Sequence, residues 1–352
     1  MGKKRKFVMA AAICTILTGA CIYLYASGHG KSSEPKQKTV QIGIAVYNEK
    51  DAYINNVCSY LDEEIHEYEL AHSNVKIRRE ITDAGGSQQE QNNQIERFIS
   101  LEYDLLLVNI VDRTNASVII DSASAAGIPV VFFNREPVRE DIFRKEGIYY
   151  EGSNAKESAL LQAELIADAF EADKESVDRN GNGTIEFAIL EGESNHQDTL
   201  IRSEWVLKGL AQREIQTRKI VNATANWERS QANVLVKQWL KEYPDEIELI
   251  ICNNDDMALG TWDALEQEGR MDIKVAGIDG VEEVQELIRK QKILGTVLCD
   301  TKLHAKALLE FIEAFAIEGT GEDGIKLTDG RYYMIPLRVI DENSSSFPDA
   351  GL

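Results

Sequence analysis

From residue 39 onward the chain alternates between two apolar patterns. Short, nearly unbroken runs at 40–46 (VQIGIAV), 105–110 (LLLVNI) and 128–133 (IPVVFF) predict strands, and 75–81 adds another. Between them, residues 54–70, 88–101 and 116–126 carry apolar side chains every three or four positions and predict helices. After 148–152 (IYYEG) the alternation restarts: helix 155–171, strand 185–190, helix 198–213, strand 217–223, helix 229–242, strand 248–252, helix 256–268, strand 273–278 and helix 281–290. A strand that is apolar at almost every position has no face for water, so it belongs in a parallel sheet covered by helices on both sides. The expectation is an α/β protein of two doubly wound parallel-sheet domains.

The first 38 residues stand apart from this alternation. Residues 3–6 (KKRK) precede an apolar run from 7 to about 26, the order of an export signal. Residues 17–21 (LTGAC) resemble a lipoprotein cleavage box, with Thr18 where Leu is usual and apolar residues continuing past Cys21. About 20 apolar residues also suffice to span a bilayer. Lipidation at Cys21 and an uncleaved N-terminal helix both remain open, and both tether an extracytoplasmic protein. Residues 28–38, rich in Gly, Ser and Lys, read as a flexible tether. At 352 residues the remainder is long enough for two packed domains. The formal net charge of -21 repels phosphate backbones and excludes a nucleic-acid partner. A sugar-responsive repressor would need a helix-turn-helix where the basic flank and apolar run stand. The five cysteines, at 14, 21, 58, 252 and 299, form no CxxC and no even framework, so no disulfide fold is expected.

Two features carry chemistry. Residues 178–186 (DRNGNGTIE) place Asp178, Asn180 and Asn182 at alternate positions, then Gly183, the carbonyl of Thr184 and Glu186, the oxygen rhythm of a calcium loop. The twelfth position is Ile189 instead of a bidentate Glu, and a strand follows instead of a helix. The loop must therefore borrow a carboxylate from elsewhere. The second feature lies at the carboxyl ends of the strands, where open parallel sheets bind ligands. Asp51 and Tyr53, Asn134, His196 with Asp198 and Arg202, Trp227, Asn254 and Asp279 all fall there. Taken singly, Asn134 or Asn254 is a helix cap and Trp227 a packing residue. Together they suit a sugar, whose hydroxyls donate and accept at once and whose CH faces pack on aromatic rings. Neither GxGxxG nor GxxxxGK follows any strand, which disfavours a nucleotide enzyme. A glycosidase would need an acid and a nucleophile or base, for which Asp51 with Asp198 or Asp279 is the imaginable pairing.

These residues resemble a known family. Asp51-Ala-Tyr53, 131–137 (VFFNREP), the loop 178–186, His196-Gln-Asp198 with Arg202, Asn226-Trp227, 252–255 (CNND), 277–279 (GID) and 295–298 (GTVL) are similar, in order and spacing, to the bacterial galactose/glucose-binding proteins. These are type I periplasmic binding proteins, and the resemblance spans about residues 40 to 340. It implies a hexose site of Asp51, Asn134, His196, Asp198, Arg202, Asn254 and Asp279, with Tyr53 and Trp227 stacking on the pyranose. It implies a Ca2+ site of Asp178, Asn180, Asn182, Thr184 and Glu186, completed by Glu248. It also implies three hinge crossings, near 153, 298–300 and 334–337. Domains of 39–152 plus 300–333 and of 153–299 plus 334–352 would follow. The implied protein is a monomer without enzymatic activity that hands galactose or glucose to an ABC permease, or alternatively to a chemoreceptor or sensor kinase. Three positions depart from the family: Cys299 stands where Asn contacts the sugar, Tyr53 replaces Phe, and Asn182 holds a place often filled by Asp.

Overall fold

The computed structural model describes residues 37–344, so Cys21 and the apolar run before it lie outside the described residues. Among the described residues no helix is long and apolar enough to cross a membrane. Two six-stranded sheets organise the chain. The first, in the order β11-β5-β4-β3-β1-β2, is built from β1 (Lys38–Val46), β2 (Val75–Asp83), β3 (Leu105–Val108), β4 (Val130–Phe133), β5 (Ile148–Ser153) and β11 (Tyr332–Ile335). The second, in the order β12-β10-β9-β8-β6-β7, is built from β6 (Thr184–Glu191), β7 (Gln216–Thr224), β8 (Leu249–Cys252), β9 (Lys274–Asp279), β10 (Gly295–Cys299) and β12 (Leu337–Asp341). All pairings are parallel except that of β12 with β10.

The unbroken apolar runs occupy the sheet centres, where β3, β4 and β8 are buried at every position. Each sheet has a core cluster on either face, under helices that cover it from both sides. The outermost β2 and β7 carry polar residues facing water, consistent with their edge position. In chain order the main helices are α1 (Ala52–Ala71), α2 (Gln88–Ser100), α3 (Ala116–Ala126), α4 (Ala155–Ala172), α5 (Gln197–Gln212), α6 (Arg229–Glu242), α7 (Asp255–Glu268), α8 (Glu282–Arg289) and α9 (Thr301–Phe311).

The chain passes between the sheets three times. It leaves the first through β5 into α4 and leaves the second through β10 into α9, which packs against α1. It returns across Pro336, between β11 and β12. The apolar pattern did not predict β10, β11 or β12. Two of them are four- and five-residue edge strands with mixed polarity (YYMI and LRVID), which leaves little periodicity to read. This topology points the carboxyl ends of both sheets toward the crossings.

Candidate functional site

The strand ends carry side chains fixed by backbone geometry. Asp51 caps α1, accepting from the Ile54 amide at 3.1 Å through Oδ1, while Oδ2 accepts from the Tyr47 hydroxyl at 2.6 Å. Asn254 caps α7 through the Met257 amide at 3.0 Å. His196 caps α5 by accepting the Asp198 amide on Nδ1 at 3.0 Å, which leaves Nε2 to carry the proton. Burial, with Arg135 and Arg202 nearby, holds His196 well below its ordinary pKa, so it is neutral. Capping and lining the cleft are thus compatible roles for one side chain. Four of these positions need a positive φ: Asn134 at 59°, Asn226 at 51°, Trp227 at 66° and Asp279 at 132°. Such backbone is costly for residues with a Cβ and gathers where function demands a fixed orientation.

Arg202, on the second turn of α5, is the buried hub. It donates to the Asn253 carbonyl at 2.7 Å and to Asp198 at 3.3 Å, and lies 3.9 Å from Asp279. Among the described residues its Nε has no hydrogen-bond partner. Asp279 is pushed well up by burial, which outweighs the nearby Arg202. Beneath it, buried Asp255 accepts from the Gly280 and Val281 amides and from Thr296 Oγ1 at 2.8–2.9 Å, bracing the turn that presents Asp279.

All ten residues expected at the sugar site line one cavity: Asp51, Tyr53, Asn134, His196, Asp198, Arg202, Trp227, Asn254, Asp279 and Cys299. Its atom-free space is about 520 Å3 including the mouth, within the roughly 300–1,000 Å3 of small-molecule sites. Arg135, Ser153 and His304 line it too, and were not singled out in the sequence. Arg135 was legible only as the neighbour of Asn134. His304 sits in the first turn after β10, so searching one helical turn past each strand would have found it. The extra hydroxyl of Tyr53 donates to Cys299 Sγ at 3.0 Å, so two departures from the family pattern answer each other.

Across the cleft, Arg135 bonds Glu193 at 2.7 Å and stacks 3.3 Å from the Tyr47 ring centre, while Gln197 donates to Glu136 at 3.0 Å. These contacts join the two domains at the lips of the cavity.

The loop 178–186 lies at the opposite end of β6. Asp178 accepts from the Asn182 and Gly183 amides, at 3.1 and 2.8 Å. Glu248, immediately before β8, reaches the loop: it accepts from the Arg179, Asn180 and Glu186 amides at 2.8–3.2 Å. The Asn180 and Asn182 amides turn their NH2 groups to Glu186, at 2.8 and 3.0 Å. Among the described residues no three His, Cys, Asp or Glu side chains group closely enough to hold a metal by themselves. An ion here would draw on amide and backbone oxygens as well. The donor set fits a hard cation: Asp178, Glu186 and Glu248 are buried, all donors are oxygen, and a half-turn of each Asn amide presents its oxygen.

Two parallel-sheet domains with a polar cleft at their facing strand ends make up the type I periplasmic binding protein fold. Residues 42–319 match the family model described as periplasmic binding protein domain, and the chain belongs to that family. A D-galactose/methyl-galactoside binding periplasmic protein of Haemophilus influenzae is 32% identical over 91% of this chain and 95% of its own. An ABC transporter solute binding protein of Bacillus halodurans, solved with bound myo-inositol, is 27% identical with a TM-score of 0.70, covering 88% of this chain and 96% of that one. The fructose binding periplasmic domain of a hybrid two component system shares the fold at 20% identity and a TM-score of 0.68, over 86% of this chain and 90% of that one. The family places the protein outside the cytoplasm, and these relatives are sugar-binding proteins.

Proposed function

We propose that the protein is a membrane-tethered hexose receptor, for galactose or glucose, that closes on its sugar and delivers it to an ABC permease without chemistry. The observation that carries this reading is the single cavity lined from both domains by three Asp, two Arg, two Asn, a neutral His and two aromatic rings. Carboxylates and amides take hydroxyl hydrogens, Arg202 and His196 Nε2 donate to hydroxyl oxygens, and Tyr53 and Trp227 cover the CH faces. Contacts from both domains coexist only when the cleft is shut, so the sugar favours closure. The galactoside named for the Haemophilus influenzae relative supports a hexose. Calorimetry of the purified full-length chain should show saturable heat with galactose or glucose; silence across a monosaccharide panel would sink the assignment. Aryl galactosides should release no chromophore. The fold shared with the hybrid two component domain favours sensing as the second reading, in which the loaded protein engages a sensor kinase.

Glu193→Gln should weaken hexose binding about five- to thirtyfold, the equivalent of about 1–2 kcal/mol. Glu193 does not line the cavity, yet it neutralises buried Arg135 across the cleft. Its loss leaves that charge unpaired in the closed form only. Small-angle scattering should show the variant more open without sugar, and an unchanged affinity would refute the latch.

Gly192 supports Trp227. A Cβ built at Gly192 would overlap the indole ring, so Gly192→Ala must push Trp227 off its face of the cavity. Hexose affinity should fall about tenfold, about 1.4 kcal/mol, with a shifted tryptophan emission; an unmoved spectrum and Kd would show that Trp227 needs no such seat.

A further inference from the structure

Cys299 lines the cavity as part of a buried cluster that sugar recognition does not require. Three groups converge on its sulfur: Ser153 Oγ at 2.7 Å, the Tyr53 hydroxyl at 3.0 Å and His304 Nε2 at 3.5 Å. On the far side of the imidazole, Glu151 Oε1 lies 2.7 Å from Nδ1, and both residues are buried. A carboxylate, an imidazole and a thiol in line are the parts that activate a sulfur nucleophile. Glu151 Oε2 has no hydrogen-bond partner among the described residues, so His304 is its sole neutralising cation in this cluster. Burial alone would strip the imidazole of its proton, but Glu151 and Cys299 reverse this and raise its pKa to about 10. Burial likewise pushes the Cys299 thiol up, and His304, Ser153 and Tyr53 outweigh it, leaving the thiol below its ordinary value. Cys58 and Cys252 have no such neighbours: burial pushes both up to about 12.

We propose that Cys299 is a modification site, a nucleophilic sulfur on the wall of the sugar cleft that peroxides and small electrophiles modify when the cleft is empty, switching sugar binding off. With peroxide, the sulfur electron pair attacks one peroxide oxygen, the O–O bond breaks, and the leaving hydroxide takes the His304 proton to become water. Sulfur is oxidised by two electrons to the sulfenate level and peroxide is reduced. The added oxygen occupies the cavity where Tyr53 and a hexose meet. Protection by sugar rests on the function proposed above; reactivity of the empty protein does not.

The test uses the full-length chain in detergent at neutral pH, with iodoacetamide labelling followed peptide by peptide. Cys299 should be alkylated at least tenfold faster than Cys58 and Cys252, and a sugar shown by calorimetry to bind should slow Cys299 alone at least tenfold. Stoichiometric hydrogen peroxide should yield a dimedone adduct at Cys299 and cut hexose binding at least tenfold, restored by dithiothreitol. In Cys299→Ser the adduct should vanish and the variant's own affinity should be indifferent to peroxide. Labelling no faster than at Cys58 or Cys252 overturns the proposal, as does fast labelling that a calorimetrically bound sugar fails to slow. Absence of any sugar heat with fast Cys299 labelling would instead remove the hexose reading and leave the reactive sulfur standing.

Discussion

Replacing Arg202 by Met is expected to raise the Kd for hexose by about 30- to 5,000-fold. Truncating one partner of a buried, hydrogen-bonded charge pair costs about 2–5 kcal/mol, and about 1.4 kcal/mol is tenfold. Arg202 lies between Asp198 and Asp279, both lining the cavity, and anchors itself on the Asn253 carbonyl. Methionine fills much of the same volume but leaves those carboxylates with no cation between them. Burial already pushes Asp198 and Asp279 up with Arg202 present, so in the variant each holds its proton to still higher pH. The sign of the stability effect follows. A carboxyl whose pKa is higher folded than unfolded stabilises the fold below the unfolded value, and that contribution is lost as pH rises through the folded value. The variant should therefore lose melting temperature relative to the parent as pH rises above the ordinary carboxylate range. Arg202→Lys retains a charge without the planar fork, so it should keep most of the stability while binding stays weak. Calorimetry and thermal melts across pH separate the two effects. A Met variant that binds hexose like the parent would remove Arg202 from the site.

Much of this site was legible because strand and ligand obey one rule: a doubly wound sheet delivers the residues just beyond its strands to a common crevice. The runs that became β3, β4 and β8 marked those strands without ambiguity, and Asp51, Asn134, Asn254 and Asp279 follow their strands directly. What stayed hidden depends on pairings that no local pattern encodes. Arg135 enters the cavity because Asn134 adopts a positive φ, and its partner Glu193 belongs to the other domain. The hydroxyl of Tyr53 finds its acceptor 246 residues away, at Cys299. Glu151 reads as one polar interruption of an apolar strand; only the arrival of α9 after the second crossing shows why it is there, facing His304. The crossings also explain why β11 and β12 escaped notice, since each is held by pairing to a preceding strand more than by its own sequence.

Removing calcium is expected to lower the melting temperature of the second domain by about 5–11 °C while leaving hexose affinity unchanged below the melt. A ligand at about 100 times its Kd stabilises the folded form by about 2.7 kcal/mol, and for domains of this size about 1 kcal/mol moves the midpoint by about 2–4 °C. The loop lies where β6 begins, and Glu248 lies where β8 begins, while the opposite ends of those strands lead to His196 and to Asn254. An ion held by Asp178, Asn180, Asn182, the Thr184 carbonyl, Glu186 and Glu248 would thus tie two ligand-bearing strands together from the side away from the sugar. It would also balance the buried carboxylates of Glu186 and Glu248, for which the nearest cation is half-exposed Arg218, 3.3 Å from Glu186. Glu248→Gln separates this role from a purely structural one. The amide would set an NH2 against one of the backbone N–H groups that Glu248 now accepts, so the variant should be less stable with or without calcium. The discriminating quantity is the shift caused by chelator: about 5–11 °C in the parent and near zero in the variant. Equal shifts in both proteins would exclude Glu248 as a ligand. No shift in either, with added calcium also without effect, would leave the loop as a hydrogen-bonded turn that Glu248 holds by itself.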